Sequence, residues 1–357
     1  MNKEKKTKVF VGLSGGVDSS VTAALLVKAG YEVVGVFMQN WSQDFAGCCN
    51  LEQDVSDARA VASQLGIPFY VWNFEKEYKA KVLDYFFAEY QAGRTPNPDV
   101  MCNKEIKFKL FLERALKLGA DKIATGHYAR LTFDGQAYHL LKGVDESKDQ
   151  SYFLCALGQP ELSYSLFPLG EYHKTEVRQL AREFKLPTAA KKDSQGICFV
   201  GQIDIREFLK ANIPTQAGKI INPEGKVLGE HEGLSFYTLG QRKEIGNLPG
   251  GPYYVVDKKF ASNELVVSAD PNEPLLWRQT CLINKLSWVN QPINLPGKYE
   301  VIIRYHHEPM SAWLEMDGDS QIKITFDKDE RAITPGQLAA IFQGDELLGS
   351  GVIDQIL

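Results

Sequence analysis

Lys8-Val9-Phe10-Val11-Gly12-Leu13-Ser14-Gly15-Gly16-Val17-Asp18-Ser19-Ser20 is the stretch from which the rest of this chain can be read. Lys8 to Leu13 is a short, β-rich apolar run. Ser19 to Lys28 has helical spacing and stops at Gly30. Between them Gly15 and Gly16 let the backbone bend and approach a ligand closely. The first N–H groups of the following helix, at Ser19 and Ser20, point at whatever sits there, and the helix dipole favours an anion. The string is neither a Walker loop, since no Gly-Lys-Ser/Thr is present, nor a G-x-G-x-x-G dinucleotide fingerprint. A bare pair of glycines would read as a turn. The full string between a strand and a helix reads as a phosphate loop.

Working outward, strand and helix signals alternate. Tyr31 to Met38 is a buried-strand run, Asp54 to Leu65 is helical up to Gly66, and Ile67 to Phe74 is strand-like. Glu75 to Gln91 is a long amphipathic helix, Phe108 to Leu118 another, and Ile123 to Gly126 a strand end. Repeated strand-helix-strand units predict an α/β domain with a doubly wound parallel sheet and ligands at the strand C-termini. Near Gly201 the pattern changes to short alternating runs between Gly, Pro and Asn turns, the signature of small β-rich barrels. The expected division is a catalytic domain over 1–205, a small central β domain over 206–270 and a C-terminal β-barrel over 271–357.

The 357 residues are 44% hydrophobic and 24% charged, which excludes a disordered chain, a collagen-like chain and a disulfide miniprotein. No apolar stretch approaches the ~20 residues of a membrane span. The basic start, Met1 to Lys8, lacks a signal-peptide h-region. The expectation is a cytoplasmic protein with no membrane partner. Its six cysteines should then be reduced, catalytic or metal-binding rather than structural cross-links.

Two cysteines stand apart. Cys102 follows Thr95-Pro96-Asn97-Pro98-Asp99-Val100-Met101, where the prolines predict a rigid exposed loop over Asn97 to Asp99. Lys104 and Lys107 should raise its thiolate fraction, and Asp99 could take or give a proton. Cys198 lies in Lys191-Lys192-Asp193-Ser194-Gln195-Gly196-Ile197-Cys198, again beside lysines. Cys155 and Cys281 sit in apolar runs and read as buried small hydrophobes. Cys48 and Cys49 are adjacent, and no C-x-x-C occurs, so no structural metal is expected.

With these blocks in view the chain resembles the bacterial tRNA-specific 2-thiouridylases, within the PP-loop ATP pyrophosphatase superfamily. The resemblance rests on Gly12 to Ser20, Thr95 to Phe108, Thr125 to Arg130, Lys148 to Phe153, Asp193 to Gly201, Gly233 to Gly246 and Ala332 to Gly351. It implies that Gly12, Leu13, Ser14, Gly15, Gly16, Val17, Asp18 and Ser19 bind ATP, with Mg²⁺ at the phosphates through Asp18. Met38 and Gly126 would hold the adenosine part. Cys198 would carry a persulfide, with Cys102 as second thiol and Asp99 as acid/base group. Asn97, Pro98 and Asp99 would meet the flipped target base. His127, Lys148, Asp149, Gln150, Arg304, Tyr305 and Gln337 would touch tRNA. A sulfur-donor protein is implied as a second partner, and a monomer is the default. No role is carried over to Cys48 or Cys49. His306 stands where the family pattern often has another basic or polar residue.

The implied chemistry accounts for these residue types. A pyrimidine 2-carbonyl becomes displaceable once its oxygen is adenylated. A persulfide then supplies a strong sulfur nucleophile, and a second thiol breaks the carrier S–S bond by exchange. An order in which hydrosulfide is released first uses the same two cysteines. Two other readings are a PP-loop ligase for a small molecule, which needs neither Cys102 nor Cys198, and a non-catalytic RNA-binding or thiol-redox protein, which cleaves no ATP. The net charge of −5 resides wholly in residues 206–357. Residues 101–130 hold seven Lys/Arg against three acids, so a nucleic acid would be gripped by local patches.

Overall fold

The computed structural model describes residues 6–42, 51–193, 205–246 and 248–357. Cys48, Cys49 and Cys198 lie outside them. Strand β1 (Lys8–Gly12) is apolar on both faces because it is central. Helix α1 (Val17–Lys28) follows at once, two residues earlier than the sequence spacing predicts. Strands β2 (Glu32–Gln39), β3 (Phe69–Asn73) and β4 (Lys122–Ala124), with the short β7 (Ser165–Leu166), make a five-stranded parallel sheet ordered β3-β2-β1-β4-β7. Register runs Lys8↔Glu32 to Gly12↔Val36 on one side and Val11↔Ala124 on the other. The doubly wound α/β expectation is therefore met.

Side chains of β1 alternate between two cores. Val9 and Val11 pack with Ala23, Leu26, Ala58 and Ala62 of α1 and α2 (Leu51–Leu65). Phe10 faces the other side, toward a helix over residues 75–91 (α3) and one over 98–117 (α4). Both have a π-type middle section, Lys79–Leu83 and Asn103–Phe111. Helix α5 (Lys174–Glu183) packs Val177 and Ala181 on Val21 and Ala24 of α1. The sequence reading missed it.

Two β modules follow helix α6 (Ile205–Asn212). Strands β8 (Gly218–Ile221), β9 (Val227–His231), β10 (Tyr254–Lys259) and β11 (Glu264–Ser268) form a four-stranded sheet. Strands β12 (Trp277–Trp288), β13 (Gly297–Ile302), β14 (Met310–Asp317), β15 (Gln321–Arg331), β16 (Leu338–Gln343) and β17 (Glu346–Ile356) close on themselves through a β12–β17 pairing.

A hairpin of the first region, β5 (Ala129–Phe133) and β6 (Tyr138–Lys142), extends this barrel sheet by pairing Leu140 with Leu347. The core behind α3 and α4 likewise runs on into Phe208, Tyr237, Leu338 and Phe342. Burying each such side chain is worth about 1.5–3 kcal/mol. Together they rival the ~5–15 kcal/mol that holds a whole domain folded, so the three sheets are coupled through one apolar core.

Candidate active site

The strand order reverses at β1 and β4, where a parallel sheet leaves a crevice at its C-terminal edge. The phosphate loop fills that position. Gly12 ends β1 beneath Met38, whose Cε lies 3.0 Å from where a Cβ on Gly12 would stand. Gly15 has φ +75°, and a Cβ there would overlap the Asp54 carbonyl oxygen, so glycine is required twice over. The Ser14 N–H donates to Ser19 Oγ at 3.1 Å, and Ser20 Oγ donates to the Gly16 carbonyl at 2.6 Å. Gly16 caps α1 without a side chain, leaving the helix N-terminus to an anion. Gly126 backs onto this turn: a Cβ on it would come within 2.9 Å of the Ser19 nitrogen. Leu13 and Val17 are buried and anchor the loop from below.

Asp18 points into a charged network. Its carboxylate accepts from Lys174 Nζ at 2.7 and 2.8 Å and from the Tyr128 hydroxyl at 2.8 Å. Lys174 also pairs with Asp193 at 3.0 Å, and Arg178 and Lys148 reach the same carboxylate at 2.5 and 3.5 Å. Burial alone would raise the Asp193 pKa, but these cations hold it below the usual carboxylate range. Burial, then the neighbouring Asp18 carboxylate, pushes the Tyr128 hydroxyl strongly up, so it stays a donor. Lys174 and Tyr128 escaped the sequence reading. The His173 N–H donates to Glu176 Oε2 at 2.7 Å, a helix-start signal that could have placed α5. Nothing local could have joined Lys174 to an acid 156 positions away.

The second half of the site is the start of α4. Asn97 is its N-cap, with Oδ1 accepting from the N–H groups of Asp99 and Val100 at 3.1 and 3.2 Å, and Pro98 occupies the first turn. The exposed loop expected over Asn97 to Asp99 is thus corrected to a capped helix start. A proline in the first turn loses no hydrogen bond, so it favours the helix there. Cys102 is corrected too. It lies in this helix, fully buried among Val100, Ile106 and Phe108, not in a polar loop. Cys155 and Cys281 are buried as expected, and burial pushes their thiols up to about 12.

Residues 7–202 match the family model described as tRNA methyl transferase HUP domain. Residues 206–269 match the tRNA methyl transferase PRC-barrel domain, and 278–353 the aminomethyltransferase beta-barrel domain. A protein of Chromobacterium violaceum named tRNA-specific 2-thiouridylase MnmA is 50% identical over 98% of this chain and 92% of its own length. One of Neisseria meningitidis serogroup B with the same name is 51% identical over 97% of this chain and 95% of its own. That of Bacillus subtilis (strain 168) is 46% identical over 99% and 96%. The chain belongs to the tRNA-specific 2-thiouridylase family.

Not every residue that the 2-thiouridylase resemblance assigns to tRNA faces outward. His127 is buried, its Nδ1 within 2.8 Å of Thr125 Oγ1 and its ring against Phe108 and Phe167. Burial, helped by Lys107, pushes its pKa well down. It lies beneath the surface of the site, with little of its side chain exposed. Asp149 accepts from the Gly143 N–H at 2.9 Å and from Ser151 Oγ at 2.7 Å. Gln150 accepts from the Tyr128 N–H at 3.1 Å. Asp149 thus closes the turn over residues 143–151, and Gln150 ties that turn to Tyr128. Gln337 donates to the Thr95 and Pro96 carbonyls at 2.8 and 3.4 Å, so its amide points at protein backbone.

Lys148 is half-buried, 3.5 Å from Asp193. The Tyr305 ring lies against those of Phe153 and His306, with centroids 4.4 and 3.9 Å away and the planes tilted by 45° and 42°. Burial lowers the Arg304 pKa, and its guanidinium donates to the Arg331 carbonyl at 3.4 Å. Among the described residues no group of three His, Cys, Asp or Glu is arranged to hold a metal ion, and no helix is long and apolar enough to cross a membrane.

Proposed function

We propose that this enzyme thiolates C2 of the wobble uridine of the lysine, glutamate and glutamine tRNAs at the expense of ATP. The near-50% identity to 2-thiouridylases over almost the full chain carries the reading. The phosphate loop and the Asn97–Cys102 helix start supply the groups it needs. The loop and the α1 N-terminus bind the ATP phosphates. Asp18, whose carboxylate accepts from Lys174 and Tyr128 here, would hold the Mg²⁺ that accompanies them. Met38 and Gly126 flank the adenosine.

The uridine O2 attacks the α-phosphate, and pyrophosphate leaves. The terminal sulfur of a Cys198 persulfide then attacks C2, and the oxygen departs with AMP. The Cys102 thiolate attacks Cys198 Sγ and breaks the S–S bond, leaving the sulfur on the base. The resulting Cys102–Cys198 disulfide is reopened by a dithiol reductant that supplies two electrons. Asp99, in the first turn of α4, relays the proton. tRNA is held by local patches that include Lys148, Arg304 and Tyr305, and the protein acts as a cytoplasmic monomer loaded by a sulfur-donor protein. Its domains divide at about 205 and 270.

The test incubates the protein with ATP, Mg²⁺, a sulfur donor and unmodified tRNA, and measures 2-thiouridine. The expected result is thiolation by wild type, none by Cys198→Ser or Cys102→Ser, and tRNA binding without turnover by Asp99→Ala. Full thiolation by Cys198→Ser sinks the reading.

A further inference from the structure

Residues 93–96, between α3 and α4, are gripped by both β modules. The Gly93 carbonyl accepts from Lys258 Nζ at 2.6 Å, and the same ammonium donates to the Tyr237 carbonyl at 2.9 Å. Thr95 Oγ1 and Thr238 Oγ1 hydrogen-bond at 3.1 Å. The Thr95 N–H donates to the Pro335 carbonyl at 2.9 Å, and Gln337 Nε2 donates to the Thr95 carbonyl at 2.8 Å.

The backbone from Thr95 to Pro98 is stiff. Pro96 and Pro98 have fixed φ, and the residues before them, Thr95 and Asn97, are confined to extended backbone. Asn97 then caps the helix that carries Asp99 and Cys102. A shift at Thr95 is therefore passed on to Asp99 rather than absorbed. The phosphate loop is held differently. Its contacts come from Ser19, Gly16, Val36, Tyr128, Lys174 and Thr188, all in the first region of the chain.

We propose that Thr238, Lys258 and Gln337 are positioning residues for sulfur transfer: they fix the start of α4 in trans, from the two β modules, so that Asp99 and Cys102 meet a base activated at the phosphate loop. None of them is assigned to touch the reacting atoms. This rests on the thiolase reading and redirects Gln337 from tRNA contact to backbone support.

The chemistry offers isosteric probes. Thr238→Val removes the hydroxyl and keeps the shape, while Thr238→Ser keeps the hydroxyl. Gln337→Glu replaces the donor with a carboxylate facing two carbonyls. Lys258→Met keeps the apolar stem. For each, kcat for 2-thiouridine, KM for ATP and for tRNA, and the ATP-binding stoichiometry are measured on the full chain. The expected result is kcat down about tenfold or more in Thr238→Val, Gln337→Glu and Lys258→Met. Both KM values and the stoichiometry stay within about twofold, and Thr238→Ser is near wild type. Unchanged kcat, or a loss that merely follows the folded fraction in all variants, overturns the proposal. Wild-type protein that forms no 2-thiouridine sinks the thiolase reading instead.

Discussion

The phosphate loop, marked by glycines, and the start of α4, marked by prolines, both place a helix at the site, yet they are built in opposite ways. The turn of the loop closes on itself, Ser14 meeting Ser19 and Ser20 meeting Gly16, and its further partners, from β2 to Lys174 and Thr188, all lie in the first region of the chain. The start of α4 owes its position to partners 143 and 242 residues away in sequence, Thr238 and Gln337. A local device binds the group common to all reactions of this type, a phosphate chain. In the proposed reaction a long-range one sets where a specific base meets a thiol. Chemistry that is generic can be encoded in a dozen residues, whereas specificity needs the rest of the fold.

The largest expected effect breaks the local side. Gly15→Ala forces a side chain into a left-handed conformation, which costs about 1–2 kcal/mol, against the Asp54 carbonyl, which is backbone and cannot swing aside. ATP cleavage to AMP in the presence of tRNA should fall by about a hundredfold or more, read by pyrophosphate release. Normal release would mean that the loop tolerates a Cβ and that its glycine is not required.

A matched pair of glycine changes sharpens the long-range side. Gly93 and Gly336 have φ of +76° and +94°, so alanine pays a similar conformational cost of about 1–2 kcal/mol at each. Their neighbours differ. At Gly93 the new methyl meets the ring of Phe260, an exposed side chain that can move. At Gly336 it meets the Thr95 nitrogen at 2.8 Å, part of the clamped backbone. Both variants should melt at slightly lower temperature, but only Gly336→Ala should lose about tenfold or more in thiolation rate. Equal rates in the two would mean that displacing Thr95 does not reach the thiol.

The same contrast explains what the sequence could tell. Four strands of the five-stranded sheet and the glycine loop were legible because period-2 apolar runs and glycine turns act over a few residues, whereas the two-residue β7 was not. The segment proposed to carry the chemistry was singled out in the sequence, but its form was not. Its prolines read as a loop because proline is excluded from helix interiors, although one at a first turn favours the helix. The burial of Cys102 and His127, the use of Gln337 on backbone and the Lys174–Asp18 pair depend on which distant elements pack together. The β5–β6 hairpin is the clearest case. Its own alternation predicts at most a hairpin, and only the free edge of β17 makes it a barrel strand.

That hairpin supplies the smallest test, because its grip on the barrel is partly ionic. His139 on β6 lies between Glu346 at 2.6 Å and Asp134 at 3.0 Å. The hydrogen bond to Glu346, then that to Asp134, raises its pKa above the ordinary 6.5. A raised pKa means that the folded state binds the proton more tightly than the unfolded chain. The stabilisation is therefore full below pH 6.5 and is lost as pH rises through the folded-state value. The group is surface-lying and screened, so the effect is a few degrees of melting temperature at most. Wild type should lose melting temperature relative to His139→Gln as pH rises from 6 toward 8, and added salt should shrink the difference. A gap that is flat with pH would leave the β6–β17 pairing and the Arg130–Asp345 ion pair to hold hairpin and barrel together.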